Sequence, residues 1–224
     1  MNIKFLTRTE TLGFIFLILV YLFGIYYSNT NLDFFDNSYT KEDSFVEYGT
    51  AFILFCISIL LFMRLLRNWH STKGLWKLGV IGMALIFIFG AGEEISWGQR
   101  IFGIESSEYF IENNAQGETN LHNMVVGETK INKLIFSQIL TLILIIYLII
   151  LPVLYRKVTS IKNLVNTFAV PIPYWKHTIA FIIATALLVF IPSERKWELY
   201  ELAFAVIFLL IFLNPLNKFI YKKD

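Results

Sequence analysis

Six stretches of the chain are apolar for long enough to constrain everything else: 11–28, 46–64, 76–96, 134–154, 176–192 and 198–216. Each is close to the ~20 residues that carry a helix across ~30 Å of hydrocarbon. In such a solvent the backbone must satisfy its own hydrogen bonds, so each stretch is expected to be helical. The composition agrees: 56% of residues are hydrophobic and 16% charged, against about 25% charged in a soluble domain. The expectation is a single all-α domain over 1–224, a polytopic transmembrane helix bundle of about six spans embedded in a lipid bilayer. The basic start "MNIKFLTRTETL" resembles a signal peptide, but "FGIYYSNTNLDFF" has no small-x-small cleavage pattern, so the first run is expected to be a retained helix. The single cysteine, Cys56, lies inside the second run and is read as a small core or lipid-facing residue.

Charge sets the expected orientation. With the N-terminus inside, the inner segments hold 13 of the 19 basic residues and two acids, Glu10 and Asp224. The outer segments hold 6 basic residues and 15 of the 17 acids. The Lys/Arg bias places both termini in the cytoplasm, N-in and C-in. The acid excess outside needs a separate reason. It is carried by a first outer loop near 29–45, a large one at 97–133, and the short "PSERKW".

Three helix ends bring carboxylates to that face. "DSFVEYGTAF" opens the second span, and Ser44 with Glu47 fits a capping box. "GAGEEISWGQRIFG" closes the third. There Glu93, Ser96, Trp97 and Arg100 follow i, i+3, i+4, i+7 spacing, which puts them on one helical face and makes a Glu93–Arg100 pair possible. Glu94 points about 100° away. Acids at a helix C-terminus oppose the macrodipole by about 0.3–1 kcal/mol each, so their presence wants a purpose. Gly90 and Gly92 permit close approach of a helix or ligand. "PSERKWELYELAF" opens the sixth span, with Ser193 as N-cap and Glu194 answered by the helix dipole. Glu198 and Glu201 lie deeper. An acid at the centre of a span costs about 2.5–3.5 kcal/mol, so Glu201 is expected to face the bundle.

The large loop adds "NNAQGETNLHNM", with Asn113, Asn114, Gln116, Glu118, Asn120, His122 and Asn123. If "ETNLHN" is helical, Glu118 and His122 share a face, placed to bind a metal or to act as a base with its orienting carboxylate. His70 and His177 fall on the inner side beside Trp and Lys, where interfacial solvation accounts for them. "EDSFVEYGTAFILF", "GEEISWGQRIFGIES" and "NNAQGETNLHN" together resemble an uncharacterised family of bacterial polytopic membrane proteins, over roughly residues 42–123. The resemblance implies a bacterial inner-membrane protein and carries over no catalytic assignment.

These residues outline an acidic, His-containing pocket at the outer membrane face. Glu93, Glu94, His122 and Glu118 are its candidate catalytic groups. Arg100, Trp97, Gln99, Asn120, Glu198, Glu201 and Glu47 are candidates for substrate binding, with Arg100 suited to an anionic group. Glu93, Glu94 and His122 are candidate ligands of a divalent cation, and one His among many carboxylates favours a hard ion. The chemistry this suits is a hydrolase or transferase acting on a lipid or lipid-linked substrate. A proton- or cation-coupled transporter component and a non-catalytic membrane sensor or accessory protein are the alternatives. No serine nucleophile elbow, no H-E-x-x-H and no nucleotide fingerprint occurs, and no nucleic-acid partner is expected. The oligomeric state is open.

Overall fold

A computed structural model describes residues 6–121, 123–126, 129–130 and 139–221. They form seven principal helices: α1 (Arg8–Thr30), α2 (Phe45–Arg67), α3 (Gly74–Glu94), α4 (Leu140–Lys157), α5 (Thr159–Thr167), α6 (Trp175–Leu187) and α7 (Lys196–Leu213). Among the described residues the extended structure is one antiparallel pair, Val125–Val126 with Thr129–Lys130, and an isolated bridge between Asn114 and Met124. Apart from these short strands the regular structure of the described residues is helical, as the apolar runs require.

Four helices, α1, α2, α3 and α4, are long and apolar enough to cross a membrane. Only 22–39% of their most apolar windows is buried inside the molecule. Leu12, Leu19, Leu22, Phe52, Ile86 and Leu142 are among the side chains left facing outward. Water does not tolerate apolar surface on this scale, whereas lipid does. The other two expected spans differ in form. α6 is short and is prolonged by a 3-10 turn, Leu188–Phe190. α7 carries Lys196, Glu198 and Glu201 in its first two turns.

Helix boundaries follow local chemistry. At α1, Thr7 and Glu10 make a true capping box: Thr7 Oγ1 accepts from the Glu10 amide at 3.3 Å, and Glu10 Oε2 accepts from the Thr7 amide at 2.7 Å. At α2 the expected box does not form. Ser44 makes no cap bond and its hydroxyl is buried without a partner. Glu47 instead reaches one residue further back, to the Asp43 amide at 2.6 Å. α3 stops at Glu94, two residues before the expected end. In α4 a π turn over Ile146–Ile150 precedes Pro152; a proline removes a helical donor, and such a turn re-spaces the bonds around it. The expected start of this span, 134–138, lies outside the described residues. α7 starts from Arg195 rather than from Ser193, whose hydroxyl accepts the Arg195 amide at 3.0 Å.

α7 is the axis of the bundle. Ten of its 18 residues are buried, from Leu199 to Phe212, and it packs against α1, α2 and α6, while α2 pairs with α3. Gly24 allows α1 to meet it: a Cβ there would stand 2.6 Å from Leu199 Cδ1. Ser58 Oγ donates to the Ala84 carbonyl at 2.9 Å and fastens α2 to α3. Beyond α4 the chain bends at Val158 into α5. The stretch "PIPYW" then runs past Asn217, whose Oδ1 accepts the Ile172 amide at 2.9 Å.

The antiparallel run of helices sorts charge into two ends. The acidic end gathers the C-termini of α1 and α3 and the N-termini of α2 and α7. The basic end gathers the start of α1, the α2–α3 turn, α5 and the end of α7.

Candidate functional site

The acidic end is built around Arg100. Past Glu94 the chain reverses through three consecutive left-handed residues, Ser96, Trp97 and Gly98, at φ 46°, 53° and 77°. For serine and tryptophan this conformation costs about 1–3 kcal/mol each and persists only where surrounding bonds over-determine it. Those bonds are present. Trp97 Nε1 donates to Glu93 Oε1 at 2.8 Å, and Ser96 Oγ donates to Glu118 Oε2 at 2.6 Å. The indole lies on Gly92, where a Cβ would come within 2.8 Å of the ring. The close approach anticipated from the glycines is therefore made by the protein's own tryptophan.

This reversal overturns the expectation that Glu93, Ser96, Trp97 and Arg100 share a helical face. The Arg100 guanidinium points to the neighbouring helix and the large loop instead. Nε meets Asp43 at 2.8 Å, Nη2 meets Glu47 at 2.7 Å, and Nη1 bonds Glu118. Burial works against the charge, but Asp43, Glu118 and Glu47 hold the guanidinium charged well beyond its ordinary range. Each of the three nitrogens is thus engaged by a carboxylate of the protein itself. Asp43, itself left-handed at φ 61°, also accepts from Tyr48. Sequence reasoning passed over Asp43, although its place just before the helix cap was a signal of such a turn.

The loop is fastened by the residues expected to bind substrate. Asn120 Nδ2 donates to Ser96 Oγ at 2.8 Å and to Glu118 Oε2 at 2.9 Å. Gln99 donates to Ser106 at 2.6 Å and accepts the Thr119 amide at 2.7 Å. Buried Glu93 accepts the Leu121 amide at 2.7 Å through its second oxygen. Residues 118–121 are not helical, as a shared Glu118–His122 face would require. His122 itself lies outside the described residues.

Three carboxylates stand apart from this network. Glu94, Glu198 and Glu201 are half-buried and accept no hydrogen bond from any described residue. They lie within electrostatic reach of one another: Glu94 feels Glu198 and Glu47, and Glu201 feels Glu94 and Glu198. Glu201 thus faces the bundle as its depth demanded. Among the described residues no group of three or more His, Cys, Asp or Glu side chains is placed to hold a metal ion. The cation ligand set of Glu93, Glu94 and His122 falls partly outside the described residues.

At the basic end a second polar group appears that sequence reasoning missed. Glu10 is fully buried on α1 and accepts from Lys176 Nζ at 2.7 Å and from His177 Nε2 at 3.0 Å. His177 is also fully buried, not solvated at an interface. The T-x-x-E spacing of Thr7 and Glu10 was the available signal.

No protein-family model matches the chain, and neither a curated protein nor a solved structure matches it.

Proposed function

We propose that this chain is a bacterial inner-membrane protein, crossing six times with both termini cytoplasmic, that acts at the outer face on a lipid or lipid-linked substrate. The reading gives the acidic end two parts. Arg100, Asp43, Glu47, Glu118 and Glu93 brace the large loop against the helices. Glu94, Glu198 and Glu201 engage the substrate.

The observation that carries it is the unequal satisfaction of the carboxylates. Half-buried acids without protein donors are costly unless a ligand or proton answers them. Neighbouring acids of this kind suit proton transfer, since one gives up the proton another receives. In hydrolysis or group transfer, Glu94 takes the proton of the attacking water or hydroxyl. Glu198 or Glu201 returns one to the leaving oxygen. His122 belongs to the same candidate set as a base from the loop side.

Proton or cation transport is supported less well. Polar groups do occur at both ends of α7, at Glu201 and Asn214. Between them Leu202–Leu213 is wholly apolar, a gap of about 20 Å at 1.5 Å per residue.

The test substitutes Glu94, Glu198 and Glu201 by Gln, and His122 by Ala, one at a time. Membrane lipid composition is measured by mass spectrometry alongside thermal unfolding of the purified protein. Loss of the wild-type lipid profile with unfolding unchanged supports the reading. An unchanged profile in all four variants refutes it.

A further inference from the structure

The basic end carries a surface that the acidic site does not use. α5 leaves α4 at an elbow, where Val158 is extended at φ −121° and ψ 108°. It folds back so that Ile161 and Val165 pack with Tyr155 and Ile172 in a small second core. Tyr155 donates to Asn166 Oδ1 at 3.1 Å and holds the two helices together. Only Val165 of α5 is fully buried. On the remaining surface Leu164 is 55% exposed and Val158 37% exposed, next to exposed Lys157 and Lys162. A short helix with apolar and basic side chains exposed together is the pattern of a segment lying in a membrane interface.

The cations here are organised, and the structure gives them no anionic partner among the described residues. Arg156 is anchored at 2.7 Å to the Pro152 carbonyl and lies 5.0 Å over the ring of Trp175, which is 42% exposed. Among the described residues neither Arg156, Lys157 nor Lys162 forms an ion pair. The one described carboxylate of this end, Glu10, is occupied by Lys176 and His177. An indole and a guanidinium beside exposed aliphatic side chains match the boundary between acyl chains and headgroups.

We propose that α5, with Arg156, Lys157 and Trp175, is a docking surface for anionic phospholipid headgroups of the adjoining leaflet. Arg156, Lys157 and Lys162 take the phosphate charge, and Leu164 and Val158 sit in the acyl region below it. The inference is independent of the proposed chemistry at the acidic end, because it uses none of the same residues.

The full chain, purified in a neutral detergent, is titrated with phosphatidylglycerol or phosphatidylcholine at low salt. Native mass spectrometry counts bound lipid, and thermal unfolding follows in parallel. Phosphatidylglycerol is expected to bind about tenfold or more tightly than phosphatidylcholine, because each basic residue near the surface contributes several-fold. The Arg156→Gln, Lys157→Gln, Lys162→Gln triple variant is expected to lose that preference. Lys162→Gln alone, at an exposed site, is expected to lose roughly two- to fivefold and serves if the triple variant does not fold. Lys41→Gln, at the acidic end, is expected to leave binding unchanged. Equal binding of the two lipids, a preference surviving in the basic-residue variants, or equal stabilisation by inorganic phosphate alone would overturn the proposal.

Discussion

The two ends of the bundle handle buried charge in opposite ways. At the acidic end one cation, Arg100, is shared by Asp43, Glu47 and Glu118, with more acids beside it than it can satisfy. At the basic end one anion, Glu10, is shared by Lys176, His177 and the Thr7 cap, with other cations outside. Both centres tie together segments distant in sequence: Arg100 joins the large loop to α2, and Glu10 joins α1 to α6. The difference lies in what is left over. Most surplus cations at the basic end, among them Arg156, Lys157 and Lys162, are exposed and can be answered by solvent or headgroups, while half-buried Arg64 lies over the Tyr221 ring. Surplus acids at the acidic end, Glu94, Glu198 and Glu201, are half-buried and accept no hydrogen bond from any described residue, although Arg195 attracts Glu198. Structural need accounts for the two centres but not for those three acids.

The largest expected effect comes from breaking the acidic centre. Arg100→Ala leaves buried Glu47 and half-buried Glu118 without their cation and should destabilise by about 3–5 kcal/mol, read by denaturant or thermal unfolding in detergent. A loss below about 1 kcal/mol would mean the cradle is not a brace. Breaking the basic centre is expected to cost less. Glu10→Gln keeps one acceptor oxygen for Lys176 and the Thr7 amide but replaces the other, which met His177 Nε2, by an NH₂ group and removes the charge beside Lys176, at about 1.5–3 kcal/mol.

Packing near the basic end supplies a third comparison. Gly79 lies under Phe168, where a Cβ would stand 1.9 Å from the carbonyl oxygen. Because the obstacle is backbone, Gly79→Ala should cost about 1–3 kcal/mol. Gly82, with nothing within 4 Å of its Cβ position, is the control, and Gly82→Ala should be neutral or slightly stabilising. Equal losses at the two glycines would contradict the close approach of this segment to α3. The smallest stability effect is expected where the functional effect is largest. Glu94→Gln, Glu198→Gln and Glu201→Gln each remove an acid without breaking a protein hydrogen bond. Each should shift stability by less than about 1 kcal/mol, and upward where repulsion is relieved.

Much of this contrast was legible in the sequence. The apolar runs located six of the seven principal helices, because length and hydropathy decide them, while α5 falls in a stretch between two runs. The depth of Glu201 required it to face the bundle. The site's wiring was not legible, because it depends on a reversal that periodicity does not encode. Extending α3 through Trp97 aimed Arg100 at Glu93, whereas the left-handed turn at Ser96–Gly98 sends it to Asp43, Glu47 and Glu118. A tryptophan in that conformation is held by tertiary bonds, not by propensity. Ser44 had the spacing of a capping box, yet the left-handed Asp43 offered Glu47 a different amide. His177 looked solvated beside Trp175 and Lys176, because its partner, Glu10, lies 167 residues away.

The central claim is that the acids at one end are divided between holding the fold and acting on a ligand. It is tested most directly by comparing Arg100→Ala with the triple variant Glu94→Gln, Glu198→Gln, Glu201→Gln for unfolding midpoint and cellular lipid profile. The account predicts that the triple variant unfolds within a few degrees of wild type and loses the wild-type lipid profile, while Arg100→Ala unfolds far earlier. A triple variant that unfolds as early as Arg100→Ala, or one that keeps the wild-type lipid profile, would contradict it.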